Sequence, residues 1–252
     1  MKSLIALYTM SMLVFFLGVL PAHSETGQLV KYQSGEETVE AYLATPSGPG
    51  PFPAIVVFHE WWGLNDWIKQ NVDLLAERGY VAIAIDLYRG HMAKTPEDAG
   101  SLMRSIPNQR AIQDMKAVTA YLKTLTDVIP NRLGAIGWSM GGGYALTMAL
   151  TITDLDACIV NYGRLINEKD SLERITCPIL GIFGEDDRGI PVLSIRAFKQ
   201  ASTEIGKSVD IIMYPGVGAA FMNENDKRAY NVNASKDAWD RIFSFLNQTL
   251  YN

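Results

Sequence analysis

Between Gly137 and Gly142 the chain reads GWSMGG. A serine flanked two residues away by glycines is the mounting that a nucleophilic hydroxyl requires when it sits on a sharp strand-to-helix turn. The residues around it fit that setting. AIGW before Ser139 is an apolar run, and MGGGYALTMAL after it has small residues where a helix would begin. A helix starting there would aim its first amide N–H groups at whatever Ser139 attacks, which favours a developing oxyanion. An ordinary glycine-rich turn with a bystander serine is the plainer alternative, and the strand–turn–helix context argues for the reactive one.

Two further stretches carry acids at the ends of apolar runs. FGEDDRGIP, residues 183–191, follows ILGIF, and a carboxylate there suits the chain order serine, acid, histidine. Asp187 fits that role better than Asp186, because Gly184-x-x-Asp187 leads into Ile190-Pro191 and a new helix. Its plainer role would be helix capping. HEWWGLN, residues 59–65, follows AIVVF and sets Glu60 beside Trp61 and Trp62. A carboxyl among tryptophans has its pKa raised by desolvation, which suits acid–base work, unless the pair fills core and Glu60 is salt-bridged.

Those stretches need a scaffold. QLVKYQ and ETVEAYLATP alternate apolar and polar residues and predict a hairpin. Beyond SGPGPFP, short apolar runs alternate with helical spacing. Strands are predicted at 54–60, 80–88, 132–139, 157–163, 178–184 and 208–216, with helices at 65–79, 109–125 and 237–246. Runs apolar throughout belong in a parallel sheet covered on both faces. The fold class is therefore α/β: a mostly parallel sheet flanked by helices and opened by an antiparallel hairpin. In such sheets ligands bind just past the strand ends, where all three stretches lie.

HEWWGLN, the GWSMGG turn, GEDDRGIP and YPGVGAAF, in that order, resemble the dienelactone hydrolase family of the α/β-hydrolase fold across nearly all of 28–248. The resemblance implies hydrolysis of a small-molecule ester or lactone without cofactor or metal. By position it makes Ser139 the nucleophile, Asp187 the acid and Glu60 the glutamate near the nucleophile. The Trp61 and Met140 N–H groups become the oxyanion donors. The chain departs from the family pattern at two places. Cysteine is usual at the turn, where Ser139 stands, and Y-P-G-x-G-H-A-F here reads YPGVGAAF, with Ala219 at the histidine position. A hydroxyl depends on a neutral imidazole to take its proton, and alanine has no acceptor.

Three histidines occur, His23, His59 and His91. His59 precedes Glu60 on a strand end, and His91 lies on the loop after the second parallel strand. Asn223 occupies one of the family's substrate-binding arginine positions, and Arg104 is the guess for another. Three readings stay open: a hydrolase that lacks its base and turns over poorly; a binding protein on a hydrolase scaffold; and a hydrolase whose base is Glu60 or His91.

At the beginning of the chain, Lys2, the apolar run Leu4–Leu20 and Pro-Ala-His-Ser predict a signal peptide cut after Ser24. That leaves residues 25–252 as one α/β-hydrolase domain, exported to the periplasm or outside, with no lasting membrane association. Losing Lys2 makes the net charge of −5 one unit more negative, and without a basic patch nucleic-acid binding is not expected. Cys158 and Cys177 read as buried thiols, though neighbouring strands would permit a disulfide. Asn233-Ala-Ser and Asn247-Gln-Thr are sequons with meaning only in a eukaryotic secretory host.

Overall fold

The computed structural model describes residues 27–251. The predicted leader and its cleavage point lie outside the described residues. One eight-stranded sheet organises the chain, in the order β1-β2-β4-β3-β5-β6-β7-β8. Strands β1 (Gln28–Ser34) and β2 (Glu37–Ala44) form the expected antiparallel hairpin, from Gln28 opposite Leu43 to Ser34 opposite Glu37. Strand β2 pairs antiparallel with β4 (Val81–Ile85). From there β3 (Phe52–Phe58), β5 (Val128–Trp138), β6 (Ala157–Asn161), β7 (Ile179–Gly184) and β8 (Val209–Tyr214) all run parallel.

The connections explain which face each helix covers. From β3 the chain passes through α1 (Asp66–Glu77) to β4 on one side, then through α3 (Asn108–Leu122) back past β3 to β5. Right-handed crossovers leaving in opposite directions put α1 on one face and α3, with α4 (Met140–Thr151), on the other. Strands β3 and β5 are thus neighbours at a topological switch point, where ligand crevices form in such sheets. The terminal helix α7 (Val232–Leu250) packs on β5, β6 and β7.

The core is built from the apolar runs read in the sequence. Every residue of Ile55–Phe58 and Val81–Ile85 is fully buried. On α7, Ile242 and Leu246 are fully buried, while Trp239 and Phe243 are half-buried and stack at 5.2 Å. Trp138, at the end of β5, is gripped between Trp67 of α1 at 5.4 Å and Trp239 of α7 at 5.8 Å. That clamp ties both helices to the strand carrying Ser139. The hairpin is tied down as well: Arg89 pairs with Glu37 of β2 and Asp114 of α3, each at 2.9 Å, and Ser34 Oγ donates to Asp114 at 2.6 Å.

Cys158 and Cys177 are free, buried thiols, as the plainer reading had it. Burial pushes the Cys177 thiol up to about 12 and holds the Cys158 thiol well above its ordinary value. Helices α2 (Pro96–Arg104), α5 (Lys169–Leu172) and α6 (Val192–Glu204) complete the set. Both sequons lie on α7 rather than on a loop. Among the described residues no helix is long and apolar enough to cross a membrane.

Leu246 makes α7's anchorage measurable. Leu246→Ala should cost about 2–5 kcal/mol of unfolding free energy, as large-to-small changes in a closed core do. Urea titration checks this, and a loss under about 1 kcal/mol would contradict the docking of α7 described here.

Candidate active site

Ser139 lies between β5 and α4 with φ 54° and ψ −118°. For a residue with a Cβ this backbone is strained, by about 1–3 kcal/mol, and it persists only where surroundings over-determine it. Here they do. A Cβ at Gly137 would sit 2.1 Å from the Gly141 carbonyl oxygen, and one at Gly141 would sit 2.2 Å from that of Phe58. The start of α4 is therefore pressed onto both β5 and the end of β3. On the other side Ser139 N–H donates to Asn161 O at 3.0 Å, and Asn161 Nδ2 donates to Gly137 O at 3.1 Å. Ser139 itself is half-buried.

The predicted strand through Glu60 ends at Phe58, so His59 and Glu60 begin the loop that faces Ser139 across the switch point. Glu60 is buried and accepts from Asn223 Nδ2 at 2.9 Å. Burial pushes its carboxyl up to about 7, against the opposing pull of the Asn223 hydrogen bond; the Asp226 charge adds to the rise. Beside it lies the Tyr162 hydroxyl. Burial, with the Glu60 and Asp187 carboxyls next to it, holds Tyr162 in its neutral form.

Asp187 stands past β7, also buried. Its Oδ1 accepts from Gly189 N–H at 2.7 Å and Ile190 N–H at 3.2 Å, closing the loop before α6. Its Oδ2 is buried and has no hydrogen-bond donor among the described residues. Neither Asp186 nor Asp187 caps α6, whose N-cap is Pro191.

Trp61 and Met140 are brought together by a residue that the sequence reading passed over. The Tyr88 hydroxyl donates to Trp61 O at 3.0 Å and lies 3.3 Å from Met140 Sδ. Met140 opens α4, so its N–H is among those that no carbonyl of the helix takes. Trp61 packs edge-on against Trp62 at 5.1 Å.

A strained serine, a helix start behind it and a buried acid two strands away suit acyl transfer, and the likeness to known proteins agrees. Residues 39–250 match the dienelactone hydrolase family. The chain belongs to that family. A relative from Saccharolobus solfataricus, provisionally named a carboxymethylenebutenolidase, is 33% identical over 85% of this chain and 96% of its own. "Protein usf" from Aquifex pyrophilus is 32% identical over 89% and 99%. A crystal structure from Klebsiella pneumoniae, provisionally titled a dienelactone hydrolase, superposes with a TM-score of 0.81 at 25% identity, covering 88% and 98%. The α/β-hydrolase fold of the family is thus the fold seen here.

In this family member Ala219 is exposed, on a turn beside the Asp187 loop: Asp186 N–H donates to Val217 O at 2.9 Å. His59 is fully buried, and both ring nitrogens are occupied by backbone. Nδ1–H donates to Glu60 O at 2.6 Å, and Nε2 accepts from Leu87 N–H at 3.2 Å. Burial lowers its pKa, so its task is to pin the Glu60 loop to the chain after β4. His91 is exposed, on a loop whose backbone covers Gly63 and Trp62. Arg104 is exposed at the end of α2. Asn223, named for its position alone, turns out to hold Glu60.

A cavity of about 450 Å³ opens beside Met140, lined by Tyr144, Thr147, Leu150, Arg164 and Ile166 among others. A second space, about 460 Å³, separates α1 from α7 and includes neither Ser139, Glu60 nor Asp187.

The raised Glu60 pKa makes a stability prediction with a definite sign. Its folded value of about 7 lies above the ordinary 4.5 of an unfolded glutamate, so the native state binds its proton more tightly. Its contribution to stability should therefore fall as pH rises from about 4.5 to about 7, and level off above, by up to about 3 kcal/mol. Glu60→Gln removes that slope. Unfolding free energies of both proteins from pH 4 to 8 check it; parallel curves would mean that Glu60 titrates normally.

Proposed function

We propose that this chain is a carboxylic ester or lactone hydrolase in which Ser139 is the nucleophile, and that its turnover is held down by Ala219. The observation that carries the reading is the strained Ser139 turn, set against the end of β3 by two glycines that admit no side chain. Strain of this kind clusters at active sites, where it presents a side chain for chemistry.

In the reaction, Ser139 Oγ attacks the acyl carbon. The Trp61 and Met140 N–H groups take the charge that develops on the carbonyl oxygen, a preorganised stabilisation that needs no solvent rearrangement. Asp187 Oδ2, the atom left without a donor, is where a base would be oriented. Glu60, poised near neutrality, shapes the local charge. The missing part is the proton acceptor. Position 219, where the family pattern carries histidine, offers only a methyl group. The substrate is a small ester or lactone. The leader read in the sequence adds that the mature protein works outside the cytoplasm.

Restoring the imidazole is the direct test. Ala219→His should raise the rate on p-nitrophenyl acetate or a dienelactone by about 10³-fold or more, given what removing a triad histidine costs elsewhere. Adding Ser139→Ala to that variant should abolish the gain. A folded Ala219→His protein no faster than its Ser139→Ala counterpart would sink the proposal.

A further inference from the structure

We infer that a planar nitrogen base binds between Asp187 and Ser139, and that the esters this protein cleaves best bring that base with them, as an imidazole-type N–H/N pair in the acyl group. The inference rests on Ser139 being the nucleophile.

Asp187 supplies the first observation. It is more than nine-tenths buried, and its two oxygens differ: Oδ1 holds Gly189 and Ile190, while Oδ2 faces no donor among the described residues. A buried carboxylate oxygen left unpaired costs free energy that an N–H would recover. The second is spacing. Ser139 follows β5 and Asp187 follows β7, with β6 between, so their strands lie about 10 Å apart. An imidazole-type ring, with a donor on one edge and an acceptor on the other, is the kind of group that joins a carboxylate at one strand end to a hydroxyl two strands away.

The third is that nothing at the end of β6 does this work. The Asn161 side chain is turned to Gly137 O. Tyr162, though buried nearby, presents a hydroxyl kept neutral by burial and by both carboxyls, which can donate but not accept a proton. On the outer side Ala219 is exposed and carries no atom beyond Cβ. The Glu60 and Asp187 carboxyls both lie beside Tyr162, so a neighbouring ligand that becomes cationic in the transition state is favoured.

The step balances without another reactant than water. As the bond from Ser139 Oγ to the acyl carbon forms, the hydroxyl proton passes to the ligand's unprotonated nitrogen, and Asp187 Oδ2 holds the opposite N–H. The resulting cation returns that proton to the leaving oxygen as the ester bond breaks. Water then attacks the acyl-serine, giving one proton to the nitrogen, which restores it to Ser139. Ester and water become acid and alcohol, and the base is unchanged.

The test adds imidazole to the unmodified protein with p-nitrophenyl acetate, taking Ser139→Ala under the same conditions as the blank for imidazole's own reaction. A saturable gain of about 10²-fold is expected, lost in Asp187→Asn and absent in Ala219→His, where the side chain fills the site. Among esters, N-acetylhistidine methyl ester should be cleaved faster than N-acetylphenylalanine methyl ester, a preference that Ala219→His removes. A rapid Ala219→His protein alongside an unmodified one with no saturable imidazole gain would overturn this inference and leave the hydrolase intact. Rescue undiminished in Asp187→Asn would also overturn it. A folded Ala219→His protein that stays inert would remove the hydrolase reading itself.

Discussion

The contact on which the site depends is backbone against backbone. The Gly137 and Gly141 Cα atoms lie so close to neighbouring carbonyls that a methyl group at either would overlap an oxygen by more than 1 Å. Gly142 meets Gly163 in the same manner across to the segment after β6. These approaches let β3, β5 and β6 converge on the first turn of α4, and that convergence forces Ser139 into its left-handed conformation. The Trp67–Trp138–Trp239 clamp then fixes the strand end from the other face. Strain at one residue is thus supported by packing drawn from both faces of the sheet.

Around that point the charges are arranged asymmetrically. Glu60 and Asp187 are both buried, yet their environments differ. Glu60 has one amide donor and little water, and so its carboxyl is lifted to about 7. Asp187 gives one oxygen to two backbone donors and leaves the other without one. Between them stands Tyr162, neutral and beside both. A carboxyl that readily takes a proton and one held by N–H groups are therefore available within one cluster. Neither carboxyl is joined to the Ser139 hydroxyl by a hydrogen bond among the described residues.

The scaffold was readable because its signals are short-range. Apolar runs such as VAIAI and ACIVN marked fully buried parallel strands, alternation in ETVEAYLA marked the hairpin, and the Gly–x–Ser–x–Gly turn marked the elbow. Boundaries shifted where runs continued past the last ladder bond. The stretch ending at Glu60 stops at Phe58, and that early stop frees His59 to lock the loop through its ring. What stayed hidden was long-range. Asn223 reaches Glu60 across 163 positions, and Tyr88 joins Trp61 to Met140. No local periodicity reports such pairs. Helix α2 was a different omission: Thr95 followed by Pro96, Glu97 and Asp98 is a start signal, and the Thr95 side chain does accept from Asp98 N–H.

The two departures from the family pattern also differ in what they demand of the fold. At position 139 the backbone is locked by glycine contacts and strand ends, and serine in place of cysteine changes one atom of the side chain without touching that frame. At position 219 the residue is exposed, on a turn after β8, with Val217 and Ala220 carrying the local structure: Val217 O accepts from Asp186, and Ala220 takes up the left-handed φ of 60° and accepts from Asn223 N–H. The side chain there supports no packing, so alanine leaves the turn intact. Chemistry and stability are therefore separable in this molecule. Ser139 is fixed by close backbone contacts at the strand ends, whereas position 219 lies on an exposed turn. The Ser139 turn and the Asp187 loop are therefore held by contacts in which the side chain at position 219 takes no part.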